Sequence, residues 1–238
     1  GNLSTEEYGK FLTERSKGIM ETYGIAMEEI KGKDLFEVLE KTEMPLIKVL
    51  SAMERKGIKI DPVYFAKYEK ELEILLSDLQ KKIFEIAGEE FNLNSPKQLA
   101  EVLFFKLNLD PVKKTKTGLS TDEEVLEKLK NDGVEIASYI LEYRKYAKLK
   151  NTYVDALPKL ADSKDRLHTT FNQIGTTTGR LSSSNPNLQN IPVKTDEGMK
   201  IRQGFIADSG NVLMGIDYSQ IELRVLAELS KDENLIAA

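Results

Sequence analysis

Two long stretches of helix-periodic apolar residues limit this chain more than any other feature. The series Phe65, Tyr68, Leu72, Leu75, Leu76, Leu79, Ile83 and Ile86 keeps helical spacing as far as Gly88. Asp61-Pro62 ahead of it supplies an N-cap and a proline at the first helical position. At 1.5 Å per residue this helix is roughly 40 Å long, more than a compact domain of this size needs, so it is expected to project. A second stretch, from about Val134 to Leu157, turns Ile136, Tyr139, Ile140, Tyr143, Tyr146, Leu149, Tyr153 and Leu157 inward. Two such helices cover each other's apolar stripes by pairing as an antiparallel stalk.

The flanking segments add smaller elements. Leu46, Val49, Leu50 and Met53 mark one helix face ending at Gly57, and Ile58 to Ile60 has the length of a strand. Between the long helices, Ser95-Pro96-Lys97-Gln98 fits a capping box, and Ser120 or Thr121 with Glu123 or Glu124 fits another. Helix N-termini flanked by lysines suit phosphate, but capping boxes occur in any helical protein, so these signals leave both readings open. After Pro158 the period changes. Leu167, Thr169 and Phe171 alternate as in a half-buried strand, and Val212 to Ile216 reads as a buried one. Helix-period Ile221, Val225, Leu226 and Leu229 follow directly, which makes the fold class α+β.

Composition excludes several chemistries. There is no Cys and a single His, His168, so disulfides, Cys-ligated metals and His-dependent triads are ruled out and any metal must be held by oxygen. The net charge of −5 runs against a phosphate-binding surface, but its distribution is uneven. Residues 1–43 are acid-rich, whereas 94–120 carry Lys97, Lys106, Lys113, Lys114 and Lys116 against only Glu101 and Asp110. Arg144, Lys145, Lys148 and Lys150 follow within seven residues without an acid. Such local basic faces suit contact with a polyanion, and solvated helix faces look the same in sequence. No run of eighteen apolar residues and no basic-then-apolar leader is present, so the expectation is a cytoplasmic protein with no membrane partner.

Asp217 follows the apolar run and precedes a helix, a place where an oxygen-bound divalent metal and a phosphate can meet; a turn or capping Asp has the same local pattern. The flanking residues decide between them. Asp217-Tyr218-Ser219-Gln220-Ile221-Glu222-Leu223-Arg224 closely resembles motif A of family A DNA polymerases. Thr178-Gly179-Arg180-Leu181-Ser182-Ser183, followed by Asn185-Pro186-Asn187-Leu188-Gln189-Asn190-Ile191-Pro192, resembles a second signature of their palm. Phe91 to Leu99 and Tyr143-Arg144 through Leu149-Lys150 resemble thumb landmarks, so the likeness covers nearly the whole chain.

That resemblance implies a long antiparallel helical thumb stalk plus an incomplete antiparallel-sheet palm. It divides the chain into the tail of an exonuclease-like domain (1–42), a thumb with palm base (43–165) and the N-terminal part of a palm (166–238). It makes Asp217 the catalytic, Mg²⁺-binding carboxylate, joined by the main-chain carbonyl of Tyr218, with two ions in the complete site. Ser219, Gln220, Ile221 and Glu222 fall on the nucleotide, Glu222 matching the glutamate that excludes a ribose 2′-hydroxyl; Ser219-x-x-Glu222 is also a capping box. Arg180, Gln189 and Asn190 fall on the minor groove near the primer terminus, and Asn187, Lys194, Arg144 and Lys148 on phosphates. Asn94, Ser95, Lys97, Ser120 and Thr121 complete the implied DNA contacts.

The implied partners are primer-template DNA, deoxynucleoside triphosphates and a second polypeptide carrying the fingers and the rest of the palm. Two departures qualify the match. Glu228 stands where many members have His, and neither the Arg, Lys, aromatic, Tyr-Gly pattern of a fingers helix nor a His-Asp-Glu turn occurs in the 238 residues. The expected function is part of a template-directed DNA polymerase, inactive by itself, and the rival is a non-catalytic DNA-binding fragment.

Overall fold

The computed structural model describes residues 4–115 and 118–237. In chain order the elements are α1 (Thr5–Gly32), α2 (Phe36–Val38), α3 (Met44–Lys56), β1 (Ile58–Ile60), α4 (Pro62–Ala87), α5 (Pro96–Ala100), β2 (Lys114–Thr115), β3 (Gly118–Leu119), α6 (Glu123–Asn131) and α7 (Glu135–Leu149). They continue with α8 (Ala156–Leu160), β4 (Arg166–Leu167), β5 (Thr170–Asn172), β6 (Ser182–Ser184), α9 (Asp196–Gln203), β7 (Phe205–Ile206), α10 (Ile221–Ser230) and α11 (Glu233–Ala237). Lys116 lies outside the described residues.

The stalk forms as the periodicity requires. Asp61 accepts hydrogen bonds from the N–H groups of Val63 (2.9 Å) and Tyr64 (3.0 Å), Pro62 opens α4, and Gly88 closes it in the left-handed conformation. α4 runs antiparallel to α7: Ile83 packs with Ile136 and Ile140 at the tip, while Phe65, Tyr68 and Leu72 pack with Leu149, Tyr153 and Leu157 at the base. α1 is capped by Ser4 and Glu7 and buries none of its residues.

The second long helix is interrupted. Residues Lys150–Val154 widen into a π turn, with Asp155 N–H donating to the Lys150 carbonyl at 2.9 Å, before helix resumes in α8. Pro158 explains the break, because it has no N–H for the Val154 carbonyl and its ring crowds that carbonyl. Lys150 is stationed there, 2.9 Å from Asp155 and 3.4 Å from both Glu69 and Glu73.

At the base, β1 is the middle strand of an antiparallel sheet ordered β4-β1-β7, with Ile58 opposite Leu167 and Ile60 opposite Phe205. Gly57 joins α3 to this sheet at φ 62°, where a Cβ would stand 2.6 Å from the Leu167 carbonyl oxygen and 2.8 Å from the His168 ring. The alternation Leu167, Thr169, Phe171 holds but is divided: Leu167 belongs to the β1 sheet, Phe171 pairs with Ser183 in a separate β5-β6 ladder, and Thr169 is buried between them.

Several local expectations are corrected. Val212–Ile216 is not a buried strand: it has no ladder partner among the described residues, and Val212, Leu213, Met214 and Ile216 are 82%, 57%, 77% and 88% exposed. An apolar run becomes a strand only where neighbours pair its N–H and C=O groups, and no described segment pairs with this one. Neither Ser120 nor Thr121 caps α6; Asp122 does, accepting from Val125 N–H at 3.0 Å, while Ser120 Oγ accepts from Asp122 N–H at 3.1 Å. Ser95 accepts from Gln98 N–H at 3.4 Å, but the Gln98 side chain takes Asn92 N–H instead of closing the box. Ser219 and Glu222 form no capping box, since Gln220 stands at the N-cap of α10 with no side-chain bond to it.

Candidate nucleic-acid interface

Much of the basic character read from sequence is cancelled by tertiary partners. Lys106 meets Glu89 at 3.1 Å, Lys113 meets Asp122 (3.2 Å) and Glu124 (2.8 Å), and Lys145 meets Glu197 at 2.7 Å. Lys145 thereby has its pKa raised and Glu197 its pKa lowered, each chiefly by the bond to the other. Together with Lys150, these four lysines are not a free cationic face. Lys97, Lys114, Lys148 and Lys194 have no ion-pair partner among the described residues, and Lys97, Lys148 and Lys194 stand exposed.

At the stalk tip, Asn94, Ser120, Thr121 and Arg144 line one concavity of about 520 Å³, with Leu93, Pro96, Leu119 and Asp122. Ser95 and Lys97 sit on the short helix at its edge. Arg144 reaches across from α7, donating to the Thr121 carbonyl and, at 3.3 Å, to Thr121 Oγ1, and its partial burial lowers its pKa. Two of its five N–H groups are committed to Thr121, so Arg144 braces the tip as well as offering charge.

The block from 178 to 192 is anchored by polar side chains that the sequence reading passed over. Thr169 Oγ1 lies 2.6 Å from Ser183 Oγ and 2.8 Å from the Pro186 carbonyl, and Ser183 Oγ accepts from Leu188 N–H at 3.1 Å. Tyr153, from the π turn, donates to the Asn190 carbonyl, and Asn187 Oδ1 accepts from Gln189 N–H at 3.0 Å. Gln189 Nε2 donates to the Leu181 carbonyl at 3.1 Å. A sequence signal existed for one of these: a Thr at the inward position between Leu167 and Phe171 buries a hydroxyl that must find partners.

Arg180 stands on the turn before β6, and its guanidinium pairs with the Glu222 carboxylate in the first turn of α10. The two sequence blocks, some forty residues apart, therefore meet on one exposed face. Arg224 Nε donates to the Ser219 carbonyl at 3.0 Å, holding the turn at Ser219 and Gln220, and Ile221 is half exposed behind it. Asp217 and Tyr218 lie in the irregular segment just before that turn, exposed, and Asp217 has no hydrogen-bond or ion-pair partner among the described residues. No group of three or more carboxylates or imidazoles converges among the described residues, so Asp217 and the Tyr218 carbonyl do not by themselves fit a two-metal centre. A roomier apolar groove of about 770 Å³, lined by Val49, Met53, Ile58, Phe171 and Leu188 among others, contains none of the anticipated site residues.

This arrangement is a polymerase-domain fold. It matches the POL domain of Pol1 from M. smegmatis in complex with DNA primer-template and dNTP, with a TM-score of 0.79 and 39% identity over 89% of this chain and 37% of that one. The chain belongs to DNA polymerase family A, whose pattern it matches over residues 63–238. It is 50% identical over 214 residues to DNA polymerase I of Bacillus subtilis (strain 168), covering 89% of this chain and 24% of that protein. It is 55% identical over 200 residues to DNA polymerase I of Caldicellulosiruptor bescii, covering 84% of this chain and 23% of that protein. The chain thus spans about a quarter of the length of the curated relatives it matches. No helix among the described residues is long and apolar enough to cross a membrane.

Proposed function

We propose that this chain is the duplex-gripping part of a template-directed DNA polymerase that adds deoxynucleotides to a primer 3′-hydroxyl. In this reading 43–165 is the thumb with palm base, 166–238 is the N-terminal part of the palm and 1–42 is the tail of an exonuclease-like domain. The observation that carries it is the meeting of Arg180 with Glu222, which brings the two family signatures to one open face. On that face Arg180, Gln189 and Asn190 would check minor-groove geometry through acceptors common to every base pair. Asn187, Lys194, Lys148, Arg144 and the tip residues Asn94, Ser95, Lys97, Ser120 and Thr121 would hold the duplex backbone. Ser219, Gln220, Ile221 and Glu222 would border the nucleotide.

Asp217 would supply one ligand, and the Tyr218 carbonyl another, to Mg²⁺ ions that neutralise the triphosphate charge in phosphoryl transfer. Because the donor set present falls short of two metals, no chemical step is assigned to this chain alone. That shortfall also favours the second reading, a non-catalytic DNA-binding fragment lacking the fingers and the second catalytic aspartate.

The test is duplex binding by the 238-residue chain, measured by fluorescence anisotropy across a salt series, with primer extension assayed in parallel. We expect sequence-independent binding that weakens steeply with salt and no extension. Lys148→Ala should lower affinity and flatten the salt slope by about one unit, as expected for one lost phosphate contact. Affinity indifferent to salt would overturn the proposed grip. Extension by the pure chain would overturn the division of labour.

A further inference from the structure

The Arg180–Glu222 pair has a role of its own. Arg180 makes no other side-chain bond among the described residues, and neither does Glu222. Both side chains are largely open to solvent, 72% and 75% exposed, so the pair is accessible to a competitor. The backbone beneath Arg180 is fixed independently: its carbonyl accepts from Thr176 Oγ1 at 2.7 Å, and the next carbonyl, Leu181, accepts from Gln189 Nε2 at 3.1 Å. Glu222 is fixed in turn by the first turn of the ten-residue helix α10, whose N-terminal dipole favours a carboxylate there. One cation and one anion thus face each other from the turn before β6 and the first turn of α10.

We propose that Glu222 is a positioning residue for Arg180, parking its guanidinium in the absence of nucleic acid and yielding it to the duplex on binding. The inference rests on the functional reading above. A polyanion that reaches this face must take Arg180 from Glu222 and tolerate the carboxylate it leaves behind. Glu222 therefore acts as an internal competitor that lowers affinity and delays use of Arg180 until duplex is seated. An exposed ion pair is worth at most about 1 kcal/mol, so the competition is weak enough for the duplex to win. Glu222 needs no contact with DNA for this effect, which separates it from any role beside the nucleotide.

The experiment measures primer-template duplex affinity of the 238-residue chain in low salt for Glu222→Gln, Glu222→Asp, Arg180→Ala and the Arg180→Ala/Glu222→Gln double variant. Glu228→Gln serves as a control that removes one negative charge from the same helix. We expect Glu222→Gln to bind about two- to fivefold more tightly, the upper figure corresponding to the full worth of an exposed pair. Glu222→Asp should stay near wild type, and the gain should vanish in the Arg180→Ala background. An equal gain from Glu228→Gln, or a gain that survives loss of Arg180, would reduce the effect to net charge and overturn the inference. Salt-sensitive wild-type binding with no gain from Glu222→Gln would also overturn it while leaving the functional reading intact. No binding by any variant would overturn both.

Discussion

Thr169→Val tests whether a single buried hydroxyl holds the loop that carries Asn187, Gln189 and Asn190. The substitution keeps the branched shape and removes the oxygen. That oxygen lies 2.6 Å from Ser183 Oγ, 2.8 Å from the Pro186 carbonyl and 3.0 Å from the Ser184 carbonyl, at a residue only 7% exposed. A hydroxyl has one proton, so it donates to one of these groups while accepting from Ser183. When it is lost, the Ser183 hydroxyl can turn to the Pro186 carbonyl at 3.2 Å and still accept from Leu188 N–H. One carbonyl, not three groups, is then left short. A buried group left unpaired costs ~1–3 kcal/mol, and the added methyl returns up to ~0.8 kcal/mol of burial. The expected loss is ~1–2 kcal/mol, read as a lower urea midpoint at unchanged slope. Amide exchange should accelerate at Leu188 and Gln189 and stay constant at Leu126 in the stalk tip. A midpoint shift worth under ~0.3 kcal/mol, with Leu188 exchange unchanged, would show that the hydroxyl network does not hold the loop.

Other expectations follow from the same geometry. His168 has Nδ1 2.7 Å from the Glu54 carbonyl and Nε2 3.2 Å from Asp162, contacts that raise its pKa above 6.5, the backbone bond most and Asp162 next. Its contribution to stability is fully present below about pH 6.5 and is lost as pH rises through the higher folded value. His168→Gln should flatten that limb in urea midpoints measured from pH 5.5 to 8.5, and an unchanged profile would discard the clamp. Gly57→Ala places a Cβ 2.6 Å from the Leu167 oxygen at φ 62°. The cost should exceed ~1–3 kcal/mol of backbone strain in equilibrium unfolding, and a loss below ~1 kcal/mol would contradict the geometry. Ser219→Ala should leave thermal stability almost unchanged because the Ser219 hydroxyl caps nothing; a drop worth ~1 kcal/mol or more would restore the capping role.

Much was legible without the structure because much of it is local. An α-helix satisfies its backbone within the segment, so apolar spacing plus the Asp61, Gly57 and Gly88 punctuation defined α3 and α4 closely. The signature blocks Thr178–Pro192 and Asp217–Arg224, read as ungapped strings, were enough to indicate the family that residues 63–238 match. What the sequence could not decide was every feature whose partner lies far along the chain. The lysines at 106, 113, 145 and 150 read as a basic surface until folding set Glu89, Asp122, Glu197 and Glu69 beside them. Val212–Ile216 has a strand's composition, but a strand exists only through bonds to another segment, and none among the described residues pairs with it. Arg180 and Glu222 are separated by forty-two residues, and only the tertiary fold brings the turn before β6 to the first turn of α10. Local hydrogen bonding makes helices readable from spacing alone, whereas ladders and ion pairs between distant residues are fixed only when the tertiary fold closes.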